Sequence, residues 1–240
     1  MSEIKRAVIM AAGFGSRLRP LTLATPKPLI RVQGKVIIER MIEALLQNGM
    51  EEIVVVVGYK KEAFAYLAER YREVSLVENP YYNSCNNISS LYAAREFLCS
   101  AVVAEADLIV ENSGIFENSV DLSGYLAVKN PHPAEWSLRT ENGVITACSM
   151  EGGAGDHQLL GISKWNESDG EKLKNLAVDY FEKRKIRDIY WDQIPLFLEK
   201  DQFTMRVYEI SPQDVTEIDT PEDLIKLDRS YTDYFKEVRQ

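Results

Sequence analysis

The run Ile53–Val57 (IVVVV) is apolar at five consecutive positions, and it is the clearest indication of the fold. A strand with one face in water alternates apolar and polar residues, whereas a strand in a covered parallel sheet is apolar on both faces. We therefore predict a buried strand of a parallel sheet at this position.

The segments around this run alternate between strand and helix patterns. Upstream, Ile4–Ala11 has the composition of a buried strand, and a helical stripe of apolar residues runs from Ile37 to Leu46 and stops at Gly49. Downstream, we expect helix, strand, helix and strand at Lys60–Tyr71, Val74–Val77, Ile88–Leu98 and Ala101–Val110. The order βαβαβαβ predicts a doubly wound, mostly parallel α/β sheet, whose ligands bind beyond the carboxyl ends of its strands.

The pattern changes after about residue 120. Trp136–Met150 (WSLRTENGVITACSM) predicts a hairpin that turns at Asn142-Gly143, which would be a small antiparallel addition to the sheet. Further elements are expected in this order: a strand at Leu159–Trp165, helices at Asp169–Lys183 and Ile189–Glu199, and a terminal helix with Thr220 as N-cap and Pro221 at its first position. We see no linker or repeat, so we interpret residues 1–240 as one domain with a lobe at about 120–200 inside it.

The charge is unevenly distributed along the chain. The net charge is −9, which argues against non-specific binding of nucleic acid. Residues 1–35 nevertheless contain seven lysines and arginines against one glutamate, which indicates a local anion site in an acidic protein. No apolar run approaches the roughly 20 residues that span a bilayer, and no signal peptide is recognisable, so we expect a cytoplasmic protein without membrane insertion. The sequence leaves the oligomeric state open.

A glycine-rich and basic stretch, Met10–Leu29 (MAAGFGSRLRPLTLATPKPL), begins at the carboxyl end of the first predicted strand. Glycines there let backbone N–H groups approach phosphate oxygens, and Arg17 and Lys27 can neutralise them. The pair Gly13-x-Gly15 alone would also fit a glycine turn beside solvated arginines, because it lacks the third glycine of a dinucleotide fingerprint and no GxxxxGK[ST] follows.

The whole stretch, GFGSRLRPLT followed by TPKPL, resembles the signature of the nucleotidyltransferases that make sugar nucleotides and CDP-alcohols. The resemblance implies a Rossmann-like fold in which Arg17 binds the triphosphate and Lys27 reaches the phosphates where bonds are exchanged, so that both are catalytic. It also implies that the first loop binds the nucleotide through Ala11, Ala12, Gly13, Gly15 and Ser16.

Phosphate chemistry of this kind needs a divalent cation, and carboxylates occur at two suitable places. Asp107 lies in an apolar segment, where an unpaired charge would be costly, and Glu217-Ile218-Asp219 precedes the terminal helix. In the resembled family an acid after the central strand and a second from a late strand bind Mg²⁺; Asp107 and Asp219 match them, with Glu217 as a weaker candidate. Glu105 receives no firm role, because relatives often carry Asp there. The alternatives are a turn residue for Asp107 and a helix-start acid for Asp219.

Two segments could line a pocket for the base. Gly58 and Tyr59 follow the second strand, and Asn86, Asn87 and Ser90 offer amide and hydroxyl groups for a pyrimidine edge. Helix capping by the asparagines is an equally good interpretation.

Aromatic residues suggest the acceptor. Trp136 lies in the predicted hairpin, and Tyr190, Trp191 and Asp192 lie on a predicted later helix. A quaternary ammonium binds to aromatic faces beside a carboxylate, because it cannot donate N–H hydrogen bonds. Core packing is the alternative for any single ring.

Together, and in order along nearly the whole chain, these motifs resemble those of the bacterial CTP:phosphocholine cytidylyltransferases. The resemblance implies that CTP and phosphocholine are the substrates, and that an in-line attack with Mg²⁺ gives CDP-choline and pyrophosphate. It also implies that Trp136, Tyr190 and Trp191 form a three-ring cage for the choline group, with Asp192 as its anionic partner. Phosphate already mostly ionised at neutral pH needs no general base, which fits a chain whose two histidines lie in no recognisable constellation. The alternatives are 2-aminoethylphosphonate or phosphoethanolamine as acceptor, then a sugar 1-phosphate, then a non-catalytic nucleotide-sensing subunit. The choice of CTP over UTP stays open.

Overall fold

A nine-stranded mixed sheet forms the centre of the molecule. The computed structural model describes residues 2–238. In chain order the strands of this sheet are β1 (Arg6–Ala11), β2 (Glu52–Val57), β3 (Val74–Glu78), β4 (Ala101–Glu105), β5 (Gly124–Lys129), β6 (Ser137–Glu141), β7 (Val144–Ser149), β8 (His157–Trp165) and β9 (Arg206–Ile210). Two-stranded pairs lie outside it, namely Ser2–Glu3 with Ser119–Val120, Arg31–Val32 with Lys35–Val36, and Leu108–Val110 with Val215–Glu217.

Helices cover the sheet and its ends. The α-helices are α1 (Leu21–Ala24), α2 (Ile37–Gln47), α3 (Ala65–Arg70), α4 (Ile88–Ala93), α5 (Glu167–Val178), α6 (Pro221–Leu227) and α7 (Tyr231–Val238). Short 3₁₀ segments occupy Ser16–Leu18, Lys27–Leu29, Lys61–Phe64, Arg95–Phe97, Ser113–Phe116 and Lys200–Gln202, and π-helical turns occupy Asp179–Lys183 and Ile194–Leu198. Among residues 2–238 no helix is both long and apolar enough to cross a membrane.

The four strands β3, β2, β1 and β4 are parallel and adjacent in that order. The side chains of β2 explain why its sequence is apolar throughout, because Ile53, Val55 and Val57 enter the core on one face of the sheet and Val54 and Val56 enter the core on the other. This confirms the predicted doubly wound α/β fold. The direction of winding reverses between β1 and β4, and ligands of such sheets bind at this reversal.

The remaining five strands form the predicted addition, which is antiparallel except for the parallel pair β5–β9 and is larger than expected. β8 pairs antiparallel with β4, and the pairings β8–β5, β5–β9, β9–β7, β7–β6 and β6–β8 close a ring. The predicted hairpin is β6–β7, and it turns at Asn142 and Gly143, which have φ of 52° and 78°. The sequence patterns did not predict β5 and β9.

Two predicted elements are wrong in ways that affect the site. The strand expected over Ala101–Val110 stops at Glu105, turns through Ala106 and Asp107, and resumes as a separate pair with Val215–Glu217. The helix expected at Ile189–Glu199 is a series of turns that ends in a single π-helical turn. By contrast, α6 starts as predicted, since Thr220 caps it and shares a capping box with Asp223.

Candidate active site

Three adjoining cavities open where β1 and β4 end, and Glu105 lines all three. The first, here called the loop cavity, has a volume of about 220 Å³ and is bounded by the glycine-rich loop. The second, the lobe cavity, measures about 460 Å³ and is bounded by the antiparallel lobe. The third, the α4 cavity, measures about 230 Å³ and lies beside the start of α4.

The loop cavity gathers most residues predicted from the glycine-rich stretch. Its walls include Met10, Ala11, Gly13, Gly15, Ser16, Arg17, Lys27 and Pro28. Gly15 has φ +59°, and a Cβ on it would lie 2.8 Å from the Cβ of Lys27, so only glycine lets the loop pack on this lysine. A Cβ on Gly13 would meet no atom within 4 Å, so this part of the backbone stays open to a ligand.

A network of ion pairs around buried Lys27 joins this loop to the late strand. Lys27, which is only 7% exposed, donates from Nζ to Asp107 Oδ2 at 2.9 Å and to Asp219 Oδ1 at 3.1 Å. Arg17 Nη2 lies 2.6 Å from the same Asp219 oxygen. Burial alone would lower the pKa of Lys27, but the two carboxylates outweigh it and the pKa is raised. The ammonium therefore stays charged inside the protein.

The predicted metal-binding carboxylates are brought together. One oxygen from each of Asp107, Glu217 and Asp219 lies within 4.8 Å of the others. The interruption after β4 explains the approach, since Ile218 N–H donates to the Asp107 carbonyl at 3.2 Å. Desolvation, and then the charges of Asp107 and Asp219, raise the pKa of Glu217. Clustered oxygens that repel one another fit a hard divalent cation such as Mg²⁺, which would remove this repulsion.

The α4 cavity contains the predicted polar residues. Asn86, Asn87 and Ser90 line it together with Ala12, Gly13, Asn79, Tyr82, Cys85 and Ser89. Asn79 is 1% exposed and donates to Ser89 Oγ at 2.9 Å and to Ser90 Oγ at 3.1 Å, which fixes both hydroxyls.

Gly58 and Tyr59 support this cavity from behind and do not line it. A Cβ on Gly58 would lie 2.7 Å from the Cβ of Tyr82, so glycine makes room for that ring. Tyr59 N–H donates to the Ala12 carbonyl at 3.1 Å, and its ring lies 5.1 Å from that of Phe14.

The lobe cavity contains two of the three predicted aromatic residues. Trp136 and Tyr190 line it with their ring centroids 5.9 Å apart and their planes at 86°. Trp191, although adjacent in sequence, is 4% exposed and packs in the core between Tyr125 and Trp165. Its position corrects the expectation of a three-ring cage, because the turn that replaces the predicted helix directs Trp191 away from the cavity.

Carboxylates dominate the polar lining of the lobe cavity, which has six of them and one guanidinium, that of Arg17. Burial raises the pKa of Asp192 to about 7. The pKa of Glu105 is raised well above its usual value by desolvation and by the charges of Asp107 and Asp192. Within residues 2–238 neither Glu105 nor Asp192 forms an ion pair.

Several wall residues were not predicted. Asn79 and Tyr82 follow β3, so the rule that ligands bind beyond strand ends could have found them. Glu135 precedes the predicted hairpin and Met150 is its last residue, and neither position indicates a cavity wall as clearly. Gly161 lies inside β8, and a Cβ on it would lie 2.7 Å from Glu105 Cγ, a contact that no sequence pattern reveals.

Known proteins resemble the chain over nearly its whole length. A family model described as nucleotidyl transferase matches residues 6–120. The chain is 35% identical over 233 residues to the 2-aminoethylphosphonate cytidylyltransferase of Lancefieldella rimae. This match covers 96% of this chain and 94% of that relative. It is 34% identical over 227 residues to the choline-phosphate cytidylyltransferase of Streptococcus pneumoniae, with 93% and 96% covered. The chain belongs to the nucleotidyl transferase family.

Solved structures agree with this membership. The structure of the CTP:phosphocholine cytidylyltransferase from Streptococcus pneumoniae matches with a TM-score of 0.87 and 34% identity, over 95% of this chain and 99% of that one. The inositol-1-phosphate CTP transferase from T. maritima, at 19% identity and a TM-score of 0.73, shares the fold. As a nucleotidyltransferase, the enzyme presents its glycine-rich loop, Arg17 and Lys27 at the strand ends where this fold binds ligands.

Proposed function

We propose that this nucleotidyltransferase transfers CMP from CTP to phosphocholine, giving CDP-choline and pyrophosphate. The observation that carries the proposal is the junction of a loop cavity that contains Arg17 and Lys27 with a larger cavity that contains an aromatic pair and carboxylates without a cationic partner among residues 2–238. Phosphates suit the first cavity, and a cationic head group with an apolar surface suits the second.

The triphosphate would lie along the glycine-rich loop. Backbone N–H groups near Gly13 and Gly15 would approach phosphate oxygens, and Arg17 would neutralise them. Lys27 would exchange its contacts with Asp107 and Asp219 for contacts with phosphate as the nucleotide binds. The base would occupy the α4 cavity, where the proposed contacts are the wall residues Ala12, Asn86 and Ser90.

The carboxylates of Asp107, Glu217 and Asp219 would bind a divalent cation, which we propose is Mg²⁺. Such an ion supplies charge neutralisation at the phosphates during the reaction. Among the protein's own groups, Lys27 would stabilise the charge that develops as the bond to pyrophosphate breaks.

The acceptor would react without a general base. A phosphocholine oxygen attacks the α-phosphorus of CTP in line, so one P–O bond forms as the bond to the β-phosphate oxygen breaks. The phosphate of the acceptor has a second pKa of about 6 and is mostly dianionic at neutral pH, so no proton must be removed. Trp136 and Tyr190 would contact the trimethylammonium group, with Asp192 as its anionic partner. We place the reaction in the cytoplasm, a proposal supported by the unpaired cysteines Cys85, Cys99 and Cys148.

A second acceptor is favoured by one feature of the lobe cavity. Because Trp191 packs in the core, the cavity has two rings and several carboxylates, and a primary ammonium needs hydrogen-bond acceptors more than rings. 2-Aminoethylphosphonate is therefore the second candidate, and the relative from Lancefieldella rimae is named for it.

Pyrophosphate release separates these candidates. The purified protein is assayed with Mg²⁺ and either CTP or UTP, in parallel with phosphocholine, phosphoethanolamine and 2-aminoethylphosphonate. We expect release with CTP, and the highest kcat/KM with phosphocholine. A preference for a primary amine would keep the reaction but reassign the acceptor. No release with any acceptor, including a sugar 1-phosphate, would favour a nucleotide-sensing role.

A further inference from the structure

Asn87 lies where the α4 cavity meets the lobe cavity, and it lines both. Its side-chain amide contacts a residue on each side. Nδ2 donates to Glu105 Oε1 at 3.2 Å, and Oδ1 accepts from the backbone N–H of Trp191 at 2.8 Å. These two bonds fix the plane and the direction of the amide.

The bond from Trp191 to Asn87 is one of several contacts that hold the segment 187–192, together with those of Arg187 Nε to the Phe181 carbonyl and of the Tyr190 N–H to Gln193 Oε1. This segment forms turns, and it carries Tyr190, which is 45% exposed, and Asp192 to the wall of the lobe cavity. The ring of Trp191 is buried, and the start of α4 forms two hydrogen bonds with the segment. Asn86 N–H donates to the Arg187 carbonyl at 2.9 Å, and Asn87 accepts from the Trp191 N–H. The second of these bonds lies between the two residues that face the acceptor.

We propose that Asn87 is a positioning residue for the acceptor. Through the Trp191 backbone it places Tyr190 and Asp192, and through its amide hydrogen it orients Glu105 at the junction of the three cavities. The sequence suggests that Asn87 binds the base. That role becomes secondary, because the Asn87 amide already donates one hydrogen bond and accepts another inside the protein. This inference rests on the proposed function.

The first test is a comparison of two Michaelis constants in the pyrophosphate-release assay. We expect Asn87→Ala to raise the KM for phosphocholine about tenfold and to leave the KM for CTP within about twofold, since a lost hydrogen bond of this kind costs about 1 to 1.5 kcal/mol. Asn175→Ala is the matched control, because Asn175 Nδ2 bonds only to Glu171 of its own helix. Neither KM should move in that variant.

The second test reverses the direction of the bond to Glu105. Asn87→Asp keeps an acceptor for Trp191 N–H but loses the donor and places two carboxyl groups side by side, so we expect the KM for phosphocholine to rise about tenfold. Adding Glu105→Gln supplies an amide donor to the introduced carboxyl group, and the double variant should recover to within about threefold of the wild type. A purely structural role would lower the melting temperature of all these variants without this recovery.

Failure of the inference and failure of the proposed function give different kinetic results. A rise in the KM for CTP alone in an otherwise active Asn87→Ala enzyme would overturn the inference and identify Asn87 as a base-binding residue. Absence of pyrophosphate release by the wild-type protein with every acceptor would overturn the proposed function and, with it, the inference.

Discussion

The loop cavity and the lobe cavity adjoin each other, yet they differ in how far their charged side chains are paired. In the loop cavity both basic side chains are paired, because Lys27 and Arg17 bond to Asp107 and Asp219. In the lobe cavity Asp192, and Glu105 at the junction of the two cavities, have no cationic partner among residues 2–238. Most of the charge in the loop cavity is therefore paired internally, whereas the lobe cavity, with six carboxylates and one guanidinium, is negative.

The difference supports the proposed assignment of one ligand to each cavity. A triphosphate with its cation brings both signs of charge, so it can replace internal ion pairs one for one. A cationic acceptor brings one sign, and it relieves carboxylates that burial has made costly to ionise. Substitutions that each remove one of these side chains test the comparison.

Removal of the Lys27 ammonium should have the largest effect. We expect Lys27→Ala to lower kcat by about 10³-fold or more, because a preorganised charge at the reacting phosphates is lost. Steady-state pyrophosphate release measures the effect, and circular dichroism checks the fold. Lys35→Ala, at an exposed lysine nearby, is the control and should retain full activity. A kcat within a few-fold of wild type for Lys27→Ala would remove this residue from the chemistry.

Loss of one carboxylate from the proposed metal cluster should come next. Asp107→Asn should weaken Mn²⁺ binding in the presence of CTP at least about tenfold, since a metal ligand is neutralised. Electron paramagnetic resonance of free Mn²⁺ gives the dissociation constant without relying on activity. Asp214→Asn is the control, because Asp214 bonds to Asn112 and Ser211 away from the site. Equal Mn²⁺ affinity in the two variants would exclude Asp107 as a ligand.

The fold of the parallel half could be predicted because local pattern and burial agree there. A strand apolar on both faces, such as β2, has few alternatives. The elements β5 and β9 were missed because β5 (GYLAVK) has an apolar run of only four residues and β9 (RVYEI) contains two charged residues, and such short patterns are ambiguous when read alone. The predicted strand 101–110 failed at Asp107 for a related reason, since the sequence does not show which partner each half of the run pairs with.

The residues that meet at the cavities could be predicted where a residue type is rarely used for core packing; their roles stay predictions. Lys27 between two prolines and the acids near Asp107 and Asp219 belong to this class. Trp136 and Trp191 do not, because a tryptophan serves a core and a ligand wall equally well. Tertiary packing decided between them, and it placed Trp191 in the core and Trp136 at the cavity.

The two tryptophans therefore give a direct test of this division. We expect Trp136→Leu to raise the KM for phosphocholine about tenfold through loss of a cation–π contact, with little change in melting temperature. Trp191→Ala should instead destabilise the protein by about 3 to 5 kcal/mol, because it empties a packed core site. Kinetics and urea unfolding measure both variants. A larger KM effect from Trp191→Ala at full folding would restore the three-ring cage.

The smallest effect concerns the protonation of Asp192. Because its pKa is raised to about 7, the carboxylate becomes ionised as pH rises from 6 to 8, and its attraction for a cationic acceptor grows. The KM for phosphocholine should fall over this range by at most about tenfold from this group. The phosphate of the acceptor also titrates near pH 6, so the part due to Asp192 is the difference between the wild type and Asp192→Asn. Identical pH profiles in the two enzymes would contradict a role for this carboxylate.

The same group should leave an opposite signature in stability. Its pKa in the folded state lies above the unfolded value of about 3.9, so the folded protein binds this proton more tightly and loses stability as pH rises from about 4 through 7. Asp192→Asn removes that loss, and its melting temperature should exceed that of the wild type at pH 8 and approach it at pH 4. A variant that binds the acceptor less well and yet unfolds later at pH 8 would show that the negative lobe cavity is maintained for binding at the expense of stability. Equal melting temperatures at pH 8 would mean that the ionised carboxylate of Asp192 is already solvated in the folded protein.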